Sequence, residues 1–318
     1  MTKHLWRKLG HIFSPSGARV WMKTHAQVPF TLVLQDRVRV FFSTREAADQ
    51  DKRFRSFSGY VDLAKDDLTK IVDVSREPIL PLGNLGEFDE YGSMAGSIVK
   101  DGSRYILYYC GWQRMTSVPY NWAIGCAISE DGKSFRRFSS GPIVGATAQE
   151  PYLQACPIVY RLTETRWEMY YLSGVRWIKD GSKAESQYVL KRARSNDGFN
   201  WERDAKEVLP RRVEDECQTS ASIFFKDGLH HMYFSYRYGT DFRENSDRGY
   251  RIGYAYSEDN MRTWIRDDAR AVIDVGKDGW DNEMIGYPHI FGLNGRYFML
   301  YCGNHFGRDG FGYAVLED

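Results

Sequence analysis

An all-β fold is predicted by two features of the 318-residue sequence: helical periodicity is nearly absent, and one strand–loop–strand–turn unit returns along the chain. The clearest copy is residues 102–112 (GSRYILYYCGW) leading to 124–135 (IGCAISEDGKSF). Others run from 168–174 (EMYYLSG) to 193–201 (ARSNDGFNW), from 231–237 (HMYFSYR) to 253–264 (GYAYSEDNMRTW), and from 297–304 (YFMLYCGN) to 312–316 (GYAVL). A divergent first copy joins 38–45 (VRVFFSTR) to 57–62 (FSGYVD). Five copies about 60 residues apart predict a five-bladed β-propeller. The last copy stops at Leu316 with no outer strand after it, whereas residues 5–13 (LWRKLGHIF) read as an outer strand without a blade. The N-terminal strand is therefore expected to supply the outer strand of blade five and close the ring, which removes an unpaired edge.

Taken in order, blade one runs from residues 25–29 through Phe41 and Tyr60 to an outer strand at 70–74. Pro78, Pro81, Gly83 and Gly86 mark the crossing to blade two. Blades two, three and four cover about residues 88–143, 150–209 and 215–273, and blade five begins at Asp281, so residues 1–318 read as one propeller domain. Asp131, Asp197 and Asp259 follow a serine by two residues in three copies. They are expected to form the turn at the blade rim, where a carboxylate accepts from the turn backbone, and not to take part in chemistry. The aromatic residue after each turn (Phe135, Trp201, Trp264) is expected to pack the outer strand.

A formal charge of +1 gives no reason to expect nucleic acid or an anionic membrane as partner. No apolar run approaches the roughly 20 residues of a spanning helix, and the N-terminus has no apolar signal-peptide core. Cys110, Cys126, Cys156, Cys217 and Cys302 are odd in number and have no metal-ligand spacing; they read as reduced core thiols of a cytoplasmic protein. No phosphate loop or dinucleotide fingerprint is present, and His25, His289 and His305 lie on different blades, so neither a cofactor nor a metal is expected. A divalent cation held by oxygens from several blades would leave no such signature.

Aligning the copies locates the chemistry. The inner strands begin at Val28-Pro29, Ala95-Gly96, Cys156-Pro157, Ala221-Ser222 and Tyr287-Pro288. At the entrance to each stand Met22, Asp89, Glu150, Asp215 and Asp281, followed by Lys23, Glu90, Pro151, Glu216 and Asn282, with Glu283 next in blade five. Four of five blades thus present an acid there. Second strands run antiparallel, so their ends return to the same face, carrying Arg45, Trp112, Arg176 with Trp177, Arg237 and Asn304-His305. Carboxylates, arginines, tryptophans and long loops on one rim make a polar small-ligand or glycan site. For any single acid, capping the turn or pairing with an arginine between blades is an equal alternative.

At these residues the chain resembles the five-bladed β-propeller glycoside hydrolases, the furanosidase group of arabinanases, xylosidases and invertases, together with the mannoside phosphorylases. Residues 88–92 (FDEYG) resemble the segment bearing an acid in blade two of those enzymes; 154–157 (QACP) resemble the Glu-Cys-Pro motif of invertases; and 280–288 (WDNEMIGYP) resemble a glycosidase blade entrance in relatives tied to bacterial surface-polysaccharide pathways. The resemblance implies a catalytic carboxylate pair. Its blade-one aspartate is absent from residues 23–29 (KTHAQVP), and the Glu-Cys-Pro glutamate falls on Ala155 beside Gln154.

The expected function is a carbohydrate-active enzyme acting on a glycosidic or activated-sugar bond in the central funnel. Asp89 or Glu90 with Glu283 would be its acid/base pair, and Glu150 and Glu216 supporting carboxylates. Trp112 and Trp177 would be sugar platforms; Arg45, Arg176 and Arg237 would meet a phosphate or carboxylate; His25, Gln154, Asp281, Asn304 and His305 would complete the binding rim. Partners would be a sugar, an oligosaccharide or an activated sugar. The alternative is a non-catalytic propeller that binds a glycan or nucleotide sugar, motivated by the missing blade-one aspartate. A protein-interaction propeller ranks last, because the rim is polar.

Overall fold

The computed structural model describes residues 3–51, 53–181 and 183–317, and strands dominate it. Their antiparallel pairing gives five four-strand units. The first joins Thr24–Val33, Arg37–Arg45, Ser56–Ala64 and Ile71–Val74. The second joins Gly92–Asp101, Arg104–Arg114, Tyr120–Ser129 and Arg136–Arg137. The third joins Gln154–Thr163, Arg166–Asp180, Lys183–Ser195 and Glu202–Arg203. The fourth joins Cys217–Lys226, Leu229–Arg237, Arg251–Ser257 and Ile265–Arg266. In the fifth, Gly286–Leu293, Arg296–Cys302 and Phe311–Glu317 are completed by the N-terminal strand His4–Phe13, antiparallel to Phe311–Glu317. The N-terminal strand therefore sits where the strand count puts it.

First strands touch in cyclic order, the fifth unit's against the first unit's. A side chain bridges each seam to a backbone amide of the next inner strand. Ser58 Oγ accepts from Ala95 N (2.8 Å), Ser97 Oγ from Val159 N (3.1 Å) and the Tyr160 hydroxyl from Ile223 N (2.6 Å). Ser222 Oγ accepts from Ile290 N (2.8 Å), and His289 Nε2 from Thr31 N (3.1 Å). Inner strands cannot pair edge to edge around a ring, so these bonds satisfy amides that a ladder would otherwise serve. Between units pack Val, Phe, Tyr and Leu side chains from neighbouring second strands, such as Phe41 with Leu107 and Tyr109, or Ile106 with Met169 and Tyr171.

Each inner strand carries an irregularity at the same place, at Val28-Pro29, Gly96, Cys156-Pro157, Ser220-Ala221 and Tyr287-Pro288. Val28, Cys156, Ser220 and Tyr287 have φ of 51°, 49°, 54° and 56°, a costly conformation for non-glycine residues. Such bulges re-aim side chains. The rim turns form as expected: Ser129 Oγ to Asp131 (2.8 Å), Ser195 Oγ to Asp197 (2.9 Å) and Ser257 Oγ to Asp259 (2.8 Å) repeat one geometry. Hydrogen bonds from Thr263 and the turn hold the Asp259 carboxyl down to about 2. All five cysteines are free, four of them buried. Among the described residues no helix is long and apolar enough to cross a membrane.

Candidate functional site

Four of the entrance acids, Asp89, Glu150, Glu216 and Asp281, are blade latches. Asp89 is buried and accepts from Arg137 Nε (2.8 Å) on its unit's outer strand and from the Tyr109 hydroxyl (3.0 Å) on its second strand. Glu150 repeats this with Arg203 (3.1 Å) and the Tyr171 hydroxyl (3.0 Å), adding Lys191 (3.1 Å). Asp281 repeats it with the Tyr301 hydroxyl (3.0 Å) and Lys8 (2.7 Å), the latter reaching in from the N-terminal strand. In the fourth unit Phe234 replaces the tyrosine, and Glu216 binds Arg266 (2.6 Å) and Gln218 Nε2 (2.8 Å) instead. In the first unit Met22 and Phe42 stand in these places, both inside one apolar cluster. Each of these four acids thus ties the entrance of its unit to the outer strand, whereas Asp215, aligned with the others, accepts from Arg248 Nη2 (3.1 Å) and Gly239 N (3.1 Å).

Asp89, Glu150 and Glu216, with Asp281 from the expected binding set, form ion pairs inside the blades, and Asp89 Oδ1 is buried without a hydrogen-bond partner among the described residues. Glu90 caps the crossing loop by accepting from Gly86 N (2.7 Å). Glu283 is exposed, 3.9 Å from His305 Nε2 at the rim of the fifth unit. Gln154 is buried beneath the third entrance, donating to the carbonyls of Glu150 (3.3 Å) and Tyr152 (3.1 Å). Asn304 braces the fifth entrance by accepting from Glu283 N (2.8 Å). Burial, then the charges of Arg45, Arg308 and His305, hold His25 down to about 2, so it is neutral beside the site. Arg176 is half-exposed and donates to Gln187 (2.6 Å); Trp177 packs its edge on Tyr120.

The pocket itself opens where the inner strands begin and the second strands end, and encloses about 530 Å³. Inner-strand residues Val28, Met94, Cys156 and Tyr287 form its floor. Of the expected residues, Arg45, Trp112 and Arg237 line it together. Trp112 lies directly over Gly92, where any β-carbon would collide with the indole. Tyr120 and Trp122 stack in parallel, centroids 4.4 Å apart, as a flat aromatic wall. Five arginines line the pocket (Arg45, Arg53, Arg114, Arg237, Arg243), and among the described residues no aspartate or glutamate does.

Those arginines differ in how they are compensated. Arg53 pairs with Asp49 (2.8 Å), and Arg243 with Glu185 (2.8 Å). Arg45, Arg114 and Arg237 have no ion pair among the described residues. Arg237, nearly enclosed, lies 3.6 Å over the Phe242 ring and donates only to neutral oxygens, among them the Tyr188 hydroxyl (3.1 Å). Tyr188 in turn hydrogen-bonds Tyr250. Burial pushes both phenols up, so they remain neutral donors and acceptors.

Arg114, Arg243, Tyr188, Tyr250 and Trp122 were not anticipated. The last three had a signal: they occupy one repeat position on or just before the third strand, Trp122 opposite Trp112, Tyr188 opposite Gly174 within a longer hairpin, and Tyr250 next to Arg251, which pairs with Tyr236. Among the described residues no group of three or more His, Cys, Asp or Glu is placed to hold a metal ion.

The fold is a β-propeller of the kind seen in solved glycoside hydrolases. The chain superimposes on a glycoside hydrolase with a TM-score of 0.73 at 14% identity, over 98% of this chain and 92% of that one. A thermostable family-43 glycoside hydrolase gives 0.64 at 14% identity, over 94% and 90%. The Bombyx mori GH32 beta-fructofuranosidase gives 0.62 at 17% identity, over 98% of this chain and 61% of that one. No protein-family model matches the chain. It is 38% identical over 315 residues, 98% of this chain and 99% of the relative, to an uncharacterized protein of Mycobacterium tuberculosis strain H37Rv, and equally to one of strain CDC 1551. The chain belongs to the family of these mycobacterial proteins.

Proposed function

We propose that the protein recognises a saccharide in the funnel pocket. The observation that carries this is the wall itself: a parallel Tyr120–Trp122 stack and Trp112 facing polar donors across a cavity of about 530 Å³, in a fold shared with glycoside hydrolases. Flat aromatic faces take the apolar face of a sugar ring, and a few convergent polar groups fix its orientation. Recognition ranks ahead of carboxylate-pair hydrolysis because that mechanism needs two carboxyl groups flanking the bond, about 5–9.5 Å apart, and among the described residues the pocket walls offer none.

Cleavage or transfer at a glycosidic or activated-sugar bond is the second reading, favoured by one feature. Glu283 is an exposed carboxylate at the rim, outside the buried latches, with His305 3.9 Å away. Wild type and Glu283→Gln are to be compared by thermal shift against neutral sugars, uronates, sugar phosphates and nucleotide sugars, with the mixtures checked by mass spectrometry for product. Equal binding by both proteins without product supports recognition. Product from wild type alone establishes the second reading. A wild type unshifted by every saccharide sinks both.

A further inference from the structure

Three enclosed donors of pocket residues have no partner among the described residues. Ser43 Oγ, Arg45 Nε and Trp112 Nε1 make no hydrogen bond there and belong to residues that line the cavity. Two of these residues flank Phe54: the Arg45 guanidinium lies 4.4 Å over its ring, and the Trp112 ring, whose Nε1 edge packs on Gly92, is 6.0 Å from it. Among the described residues, the one hydrogen bond of the Arg45 side chain is from Nη2 to Gln27 Oε1, at 3.2 Å. Arg114, on the Trp112 strand, donates only to the Phe54 carbonyl (3.2 Å) and forms no ion pair among the described residues.

Native proteins satisfy nearly all buried donors, and an enclosed charge without a counter-charge is costly. Of the pocket arginines, Arg53 and Arg243 have carboxylates and Arg237 a set of neutral oxygens; Arg45 and Arg114 have neither among the described residues. Burial, with Arg243 nearby, draws its guanidinium down to about 10 against the opposing influence of Tyr287, so it keeps its proton at neutral pH. Sugar hydroxyls could accept from these donors but could not neutralise the charge. An ionised carboxylate or phosphate does both, accepting in the fork geometry of arginine.

We propose that Ser43, Arg45 and Trp112, backed by Arg114, form an anion subsite that takes the carboxylate or phosphate of a charged saccharide. The inference rests on the saccharide reading above and narrows its substrate class to acidic sugars or sugar phosphates. The uncharged part of the ligand then faces the Tyr120–Trp122 wall.

The test is titration calorimetry on the full chain with matched pairs: glucuronate, glucose 1-phosphate and UDP-glucose against glucose and cellobiose, with inorganic phosphate as control. The charged members should bind at least tenfold more tightly than the neutral ones and weaken as sodium chloride is raised. Arg45→Gln should lose about 30-fold toward the charged ligands and Trp112→Phe, which keeps the ring and removes the donor, about tenfold, as expected for hydrogen bonds to a charged group. Neutral ligands should change less than twofold. Without ligand, Arg45→Gln should melt higher than wild type, because it removes an uncompensated charge; this readout also shows that the variant folds. Glucuronate and glucose 1-phosphate arms separate carboxylate from phosphate. Neutral sugars binding as tightly as charged ones overturn the anion subsite and leave the saccharide reading standing. Inorganic phosphate binding as tightly as glucose 1-phosphate also overturns it, as does natively folded Arg45→Gln binding like wild type. No binding by any saccharide overturns both proposals.

Discussion

Glu150 and Glu283 look alike in the sequence, each an acid at a blade entrance, and differ in everything else. Glu150 is enclosed by Arg203, Lys191 and Tyr171, whereas Glu283 stands in solvent. Glu150→Gln leaves two cations facing a neutral amide inside the blade and should lower unfolding free energy by about 3 kcal/mol or more. Glu283→Gln should change it by less than about 0.5 kcal/mol. Urea denaturation of both variants checks this; equal stabilities would mean that Glu150 is not a latch. Repetition already hinted at the outcome, because a reacting pair has no reason to recur in four blades. The partners (Tyr109, Arg137 and their counterparts) were equally visible, but the sequence does not say that they point at the acid.

At the scale of an element, the N-terminal strand does two jobs. It pairs with Phe311–Glu317 over most of its length, and its Lys8 closes the fifth latch on Asp281. Removing residues 1–13 would expose a strand edge and leave Asp281 buried with only a tyrosine for partner. The truncated chain should melt lower than wild type and scatter light at concentrations where wild type stays clear. Lys8→Met, which keeps the strand, should lower the melting point without the aggregation. If truncated and full-length chains behave alike, the strand does not hold the ring together. This pairing was legible from counting strands, because every other copy brings its own outer strand.

Across the whole molecule, the ring depends on a histidine at one seam. His289 Nε2 accepts from the Thr31 amide between units five and one, which requires a neutral ring, and burial holds its pKa down to about 4. The unfolded chain takes up this proton near pH 6.5 and the folded chain only near 4. The seam's contribution is therefore complete above about pH 6.5 and is lost as pH falls toward 4. His4 and His231 are also held low by burial and add to the trend. The melting point should fall across that window, and His289→Gln, whose amide oxygen accepts without titrating, should flatten the curve. Parallel curves for the two proteins would remove the seam from the explanation.

What the sequence by itself determined is everything that repeats. The strand units, the Ser-x-Asp turns, the latch acids and the face on which loops and second-strand ends gather all follow from local periodicity and turn chemistry, which act between near neighbours and recur with the copies. The tertiary structure alone decided which groups face the pocket and which face a partner inside a blade. Arg45 and Arg266 are both strand arginines. Arg266, on an outer strand, meets a glutamate 2.6 Å away, and Arg45, at a second-strand end, meets none among the described residues. Compensation of charge depends on which side chains converge from distant blades. Convergence is a property of the closed ring, and no stretch of the chain contains it.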